Sequence, residues 1–357
     1  MIWKRQLSES PMTCWQSAHL SPFFSILSPD RLIITEQCDK SFSIVAYQDC
    51  PVLVCRGKVI NRIYSLRRSV ATILVRYGET GLKGPPVRRR FEALLVENIL
   101  RAHSHKKINC VVERQRGRLF VNSDNPEGSV GILSRTFGVV SISEAEECTS
   151  GVDDISKLAI ESAKKHLSKG GAFAIRSRRT GTHDYTSMQL AAKVGENVLN
   201  AFPKGSIKVD LGDPDLEIFI EVRNNKSYVF SDKVQGPGGL PLRSQGKVLS
   251  IIEDRKSLLS SWLMMRRGCS MVFLNKSKLD AEELGSIEPW NPWWNGAVED
   301  EEAADVIKLR HCKGLVLGWT LEEFQKKESP RPGVPVFYPL VGLVPDEIDE
   351  RMKFLFG

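Results

Sequence analysis

The stretch AFAIRSRRTGTHDYTSMQLAAKVGENVL, residues 172–199, decides how the middle of this 357-residue chain is read. Its opening is apolar and β-prone, and it carries Arg176, Arg178 and Arg179 to the end of a strand expected over 172–178. Thr180, Gly181, Thr182 and His183 then form a loop. Thr186 or Ser187 is placed to cap a helix over 188–200, with Gln189 near its third position. Arginines beside exposed helix N–H groups make a phosphate site, because both present donors to one anion. Strand, basic loop and capped helix therefore predict an α/β module whose loop end accepts phosphate.

Outward from this stretch, residues 153–169 form an amphipathic helix. Ile155, Leu158, Ala159, Ser162 and His166 share one face, and Lys157, Glu161, Lys164 and Lys165 the other. Downstream, strands are expected from 209 and over 216–223, and an Asn224-Asn225 turn leads into a strand over 226–231. The passage closely resembles the THUMP domain, where a strand, an RxxRxGxHxFTS segment and a helix precede VDLxxPDLEIxVEVR strands. Arg176, Arg178, Arg179, Gly181, His183, Thr186 and Ser187 match it residue by residue. Tyr185 stands where Phe is commoner and keeps an aromatic ring for base stacking. The resemblance implies binding of tRNA at the acceptor end and its 3′ terminus. The plainer reading of His183 is a loop histidine with its hydrogen bonds satisfied.

Ahead of it, residues 71–145 alternate as β-α-β-β-α-β, a ferredoxin-like order. A strand runs into the Gly-rich basic loop 78–84. A helix over 87–102 puts Phe91, Leu94, Leu95, Asn98 and Ile99 on one face. Strands over 109–114 and 118–121, a helix over 126–134 and a strand over 139–145 complete the unit. The Gly spacing is no dinucleotide fingerprint, since no acidic residue follows a second strand at the right distance. YGExGLKG before an arginine-rich helix start resembles the opening of the tRNA 4-thiouridine synthase family, the tRNA sulfurtransferases also tied to thiamine biosynthesis. That resemblance implies a tRNA-facing surface from Arg76, Lys83, Arg88, Arg89 and Arg90. The alternative is a solvated helix face.

The rear begins with GPGGLPLRSQGKVLSIIEDRKSLLSSWLMMRRGC, residues 236–269. It reads as a linker, a strand over 247–251, a turn, and a helix over 257–267. The same family carries GPGGLP, QGK, a strand and an ATP-pyrophosphatase loop SGGxDS. GPGGLP, Gln245-Gly246-Lys247 and LMMRRGC stand here. Where the loop belongs, the chain has Ile252, Glu253, Asp254, Arg255, Lys256 and Ser257. Paired glycines let a backbone curl against phosphate, whereas side chains block that approach and two carboxylates repel it.

Further on, strands are expected over 270–274, 313–318 and 334–340, with helices over 299–310 and 345–356. This alternation implies a small parallel sheet. The family's GESLGQVASQT survives only in outline at Gly318, Thr320 and Leu321, and Trp319 is expected to fill the pocket. Its reactive-cysteine region has no evident match, and Cys269 and Cys312 look structural. Trp290, Trp293 and Trp294, set among prolines, either pack as a lid or form an exposed docking surface.

The expected class is α/β and α+β: residues 1–69 unassigned, 70–147 ferredoxin-like, 148–235 THUMP, and 236–357 a degenerate, shortened pyrophosphatase-like domain. The expected function is tRNA binding without ATP-dependent catalysis, hence no cofactor and no metal. The alternatives are an active sulfurtransferase using ATP and Mg²⁺, or an assembly protein for a separate modification enzyme. A homodimer is also compatible.

Whole-chain features are consistent with this. Net charge is +7, split as +4 over 1–69 (9 basic, 5 acidic), +5 over 70–235 (25, 20) and −2 over 236–357 (16, 18). A basic front with an acidic rear suits nucleic-acid binding by the front. The 8 cysteines form no CxxC pair, so a zinc site is not expected. No apolar run approaches the roughly 20 residues that span a bilayer, and no signal-peptide core opens the chain, so the cytoplasm is the expected location. The first 69 residues keep no period beyond a possible strand over 52–60. They are expected to be either a lineage-specific addition or the result of a start assigned upstream of the true one near Val70.

Overall fold

The structure, a computed structural model, describes residues 71–115, 117–277 and 279–356, and three strand segments in the first seventy residues. These are β1 (Ser25–Ser28), β2 (Arg31–Ile34) and β3 (Ile44–Ala46), an antiparallel sheet in that order. The strand expected over 52–60 lies outside the described residues. The chain divides into two units, Met1–Val59 and Ile60–Gly357, and the second holds all the remaining elements.

Its front module runs β4 (Ala71–Tyr77), a 3-10 turn (Glu79–Leu82), α1 (Pro85–His105), β5 (Cys110–Gln115), β6 (Arg118–Ser123), α2 (Pro126–Leu133) and β7 (Val139–Thr149). Prolines open α1, where a missing N–H costs nothing. Phe91, Leu95 and Ile99 recur at helical spacing on its buried side. Asn125 caps α2 by accepting from Gly128 N at 2.9 Å.

The middle module comprises α3 (Val152–His166), β8 (Gly171–Thr180), α4 (Ser187–Asn200), β9 (Ile207–Val209), β10 (Leu216–Arg223), β11 (Lys226–Phe230) and β12 (Val234–Gln235). One sheet joins both modules in the order β5-β6-β4-β7-β11-β10-β8-β9, with β12 also on β7. β7 is longer than its sequence suggests. Its residues from Val139 to Ala145 pair with β4, and Glu146 to Thr149 pair with β11. A boundary at 147/148 therefore falls inside a strand that both modules share. On α3 the buried apolar positions are Ile155, Ala159 and Ala163, and Leu167 continues the face just past its end. His166, expected on that face, is exposed, because at 100° per residue Leu167 takes the place below Ala163.

Alternate residues of β8 and β10 divide between two faces. Phe173, Ile175, Leu216, Ile218, Ile220 and Val222 pack with α3 and α4. From the other face, Phe230 and Tyr228 meet Leu74, Phe120 and Ala145 of the front module, with the Phe120 and Tyr228 rings 4.7 Å apart. Glu221, 5% exposed, lies in this seam. It pairs with Arg118 at 3.1 Å and Arg223 at 2.7 Å, and Arg76 sits 4.8 Å above the Phe230 ring. Burial opposes the Glu221 charge, but Arg118 and Arg223 outweigh it and hold the carboxyl below its usual range. Burial, with Arg118 nearby, lowers the Arg76 guanidinium to about 10.

The rear runs β13 (Lys247–Ile252), α5 (Arg255–Arg266), β14 (Ser270–Asn275), α6 (Ala281–Gly285), α7 (Ala303–Arg310), β15 (Leu315–Val316), α8 (Leu321–Lys326), β16 (Val336–Phe337) and α9 (Pro345–Phe356). Its parallel sheet has the order β14-β13-β15-β16. The two last strands are shorter than expected. Leu258, Trp262, Met265, Phe273 and Trp290 form its core with Phe137 of the front module. Gly239, at φ +72, lies so close to α5 that a Cβ would collide with the Arg266 carbonyl; Leu240 N donates to that oxygen at 2.9 Å.

The tryptophan segment is packed. Trp290 is 7% exposed, and Trp294 meets Phe273 edge-on at 4.9 Å. The Trp293 ring lies between Arg101 (4.1 Å) and Arg243 (4.0 Å), and its indole N–H donates to Asn98 Oδ1 at 2.8 Å. Arg101 donates to Pro292 O at 2.7 Å, and Arg243 pairs with Glu97 at 3.0 Å. An exposed docking surface, one of the two expectations, is thereby replaced by a clamp on α1. Each cation over the ring contributes about 0.5–2 kcal/mol. Among the described residues no helix is long and apolar enough to cross a membrane.

Candidate nucleic-acid interface

The arginines of the 172–199 stretch do not act alike. Arg176 pairs with Glu217 at 2.7 Å and donates to Leu211 O at 2.8 Å. Arg179 donates to Gly181 O at 3.2 Å, bracing its own loop. Arg178 is exposed and makes no ion pair among the described residues. Alternation sends Arg176 and Arg178 to one face and Arg179 to the other. Thr186, not Ser187, is the cap of α4: it accepts from Gln189 N at 3.2 Å while Gln189 Oε1 accepts from Thr186 N at 2.8 Å. The Ser187 carbonyl accepts from Ser177 Oγ, so strand and helix start are tied together.

His183 shares a 2.7 Å hydrogen bond between Nε2 and Asn224 O, and its ring stacks on Tyr185 at 5.5 Å. Tyr185 donates from its hydroxyl to Ser150 O at 2.6 Å and packs beside the module core. Both rings therefore hold the loop against its neighbours, but His183 is only half satisfied: Nε2 is bonded, whereas Nδ1 is buried with no hydrogen-bond partner. Exposed Met188 and Leu211 border the same loop end; the sequence reading assigns neither a role.

In the front module Lys83 and Arg89 are exposed and Arg88 is half-buried, none with an ion pair among the described residues. Arg90 donates to Ser244 O at 3.5 Å, which brings the start of α1 to the rear linker. Lys233, likewise outside any motif, lies 3.3 Å above the Phe219 ring; burial lowers its ammonium, and Arg76 adds to the effect.

The rear loop is shorter than its sequence suggests. Arg255, Lys256 and Ser257 already belong to α5, leaving Glu253 and Asp254 as the turn after Ile252. Asp254 caps the helix, its Oδ1 accepting from Ser257 N (3.0 Å) and Ser257 Oγ (3.1 Å). Ser257 Oγ in turn accepts from Glu253 N at 3.2 Å. Trp319 Nε1 donates to Glu253 Oε2 at 3.0 Å, and Lys327 lies 3.8 Å from that carboxylate. Lys256 bridges Asp254 (3.3 Å) and Glu323 (3.0 Å). Burial opposes the Glu323 charge, but Thr320 N–H and Lys256 prevail and hold it at about 2. Burial raises the thiols of Cys269 and Cys312.

A ferredoxin-like module sharing a strand with a THUMP-like module, ahead of a parallel α/β domain, defines the class to which this chain belongs. Family models agree: the ThiI ferredoxin-like domain matches residues 72–143 and the THUMP domain residues 150–232. A probable tRNA sulfurtransferase of Methanothermobacter thermautotrophicus is 41% identical over 206 residues, 56% of this chain and 51% of that protein. The chain thus spans about half the length of that relative. Another, from Methanosarcina acetivorans, is 33% identical over 325 residues, 77% of this chain and 79% of that protein. The chain belongs to the tRNA sulfurtransferase family.

Among solved structures, PH1313 from Pyrococcus horikoshii superposes with TM-score 0.69 at 29% identity, covering 80% of this chain and 99% of that one. A 4-thiouridine synthetase–RNA complex with bound ATP has the same fold, at TM-score 0.65 and 21% identity, covering 80% and 85%.

Proposed function

We propose that this protein binds tRNA through its front and middle modules in the cytoplasm and does not itself carry out the ATP-dependent step of 4-thiouridine formation. The observation that carries the second half is the state of the turn after β13. A nucleotide phosphate at that place needs a curled backbone with its N–H groups presented. Here Ser257 N and Glu253 N are engaged by the turn's own side chains, and two carboxylates lie in the way. The residues present do not fit ATP with Mg²⁺. RNA binding is supported by family membership, by exposed Arg178, and by the cations leading into α1.

A second reading, an active sulfurtransferase, is favoured by one observation: Ser257 stands where the loop serine falls, and a Cβ on Gly318 would press on it, as in a close-packed site. Calorimetry with ATP, with and without tRNA, separates the two. Our reading expects heat from tRNA and none from ATP in either case; ATP binding that appears only with tRNA favours the second.

A further inference from the structure

A second site lies at the other end of the rear sheet. The altered turn is at the carboxyl end of β13, whereas a cavity of about 940 Å³ opens at its amino end. Arg266, Arg267 and Lys313 line it, with Gln245, Phe337 and Tyr338; the Tyr338 ring itself packs against Trp319 and Phe324. The three cations are exposed and make no ion pair among the described residues, and Phe337 is 39% exposed. The one carboxylate in the wall, Glu79, comes from the turn that leads into α1. Arg90 of α1 donates to the carbonyl of Ser244, the residue before Gln245. The cavity mouth therefore continues the basic start of α1, with no intervening module.

We propose that this cavity holds a sugar-phosphate segment of the RNA gripped by the THUMP module, with Arg267 and Lys313 on phosphates and the Phe337 ring against an unstacked base. The inference rests on the RNA-binding reading and adds the rear domain to its footprint. Cations and an exposed ring in one concave site suit a nucleotide chain, since phosphates take the charge and any base offers a π face. An acidic protein segment would use the cations and leave the ring without a role. Of the glycines in the wall, Gly239 serves packing, since a Cβ there would collide with the Arg266 carbonyl.

The test uses the full chain, a tRNA transcript, and the double variant Arg267→Glu/Lys313→Glu. Arg266 is left alone because its stem packs beside Gly239 and its guanidinium lies 5.8 Å from the Trp262 ring. Affinity is expected to fall about tenfold or more, and the slope of log K against log salt to flatten by roughly 1.5–2 units. Hydroxyl-radical protection of the RNA should disappear over one segment and persist elsewhere. The milder pair Arg267→Gln/Lys313→Gln should give the same pattern at smaller amplitude, which guards against a folding defect. Unchanged affinity and footprint, with the wild-type chain binding, overturn the inference and leave the RNA-binding reading standing. A wild-type chain that binds no tRNA overturns both.

Discussion

The indole N–H of Trp319 donates to a carboxylate oxygen of Glu253 at 3.0 Å, joining the turn after β13 to the residue before the cap of α8. These segments are the two that the sequence reading expects to depart from the nucleotide-binding pattern, and their side chains partner each other. Trp319→Phe removes the donor and keeps the ring stacked near Tyr338. The expected cost is about 1–2 kcal/mol, that of a hydrogen bond to a carboxylate discounted for the exposure of Glu253. Urea unfolding of the two proteins measures it, and a cost near zero would mean that the pair holds nothing closed.

The Trp293 clamp predicts a larger effect. Trp293→Ala deletes a half-buried ring, two cation contacts and a hydrogen bond, and should cost about 3–5 kcal/mol. Because the clamp joins the rear domain to α1, calorimetry of the variant should resolve an early rear-domain transition. A single transition at the wild-type temperature would contradict the clamp.

Among the arginines of β8, exposure predicts unequal roles. Arg178→Ala should weaken tRNA binding and leave the melting temperature unchanged. Arg176→Ala, which breaks the Glu217 pair, should weaken binding less and lower stability slightly, by up to about 1 kcal/mol for a half-exposed pair. Gel shifts at two salt concentrations separate them; equal losses for both would show that the Glu217 pair does not withdraw Arg176 from the RNA.

His103 predicts a pH effect. Burial lowers its imidazole below the usual histidine value, Nδ1 is 2.8 Å from Ile99 O, and Nε2 has no partner. The unfolded chain takes up the proton first, so this stability is complete above the ordinary value of about 6.5 and is lost as pH falls below it. His103 alone contributes a slope of at most about 1.4 kcal/mol per pH unit, and His105 is lowered in the same direction. Melting between pH 7.5 and 5.5 should fall for the wild type and fall less for His103→Gln. Parallel curves would show that His103 does not set the pH dependence.

The sequence disclosed most where a local rule was self-sufficient. The Thr186–Gln189 capping box and the alternation of β8 and β10 need only near neighbours, and both stand in the structure. The length of β7 was hidden because Glu146, Glu147 and Cys148 show no apolar alternation; their pairing comes from β11, about eighty residues away. Trp293 announced itself, but its arginine partners are distant in sequence. In the turn, composition showed two carboxylates but not that Asp254 would become a helix cap. The cavity at the amino end of the rear sheet draws residues from several distant segments, and no one of them carries a signal.

Whether the chain has lost its ATP chemistry is decided by pyrophosphate release from ATP in the presence of tRNA and a sulfur donor, using the unmodified chain. Losing two or three charge-assisted contacts to phosphate, at roughly 1.5–3 kcal/mol each, weakens nucleotide binding by several orders of magnitude. The expected result is no tRNA-dependent pyrophosphate above the level without protein, and none after glycines replace Glu253 and Asp254 while Trp319 remains. Pyrophosphate release by the unmodified chain that rises with tRNA would contradict the loss of catalysis and favour the active sulfurtransferase.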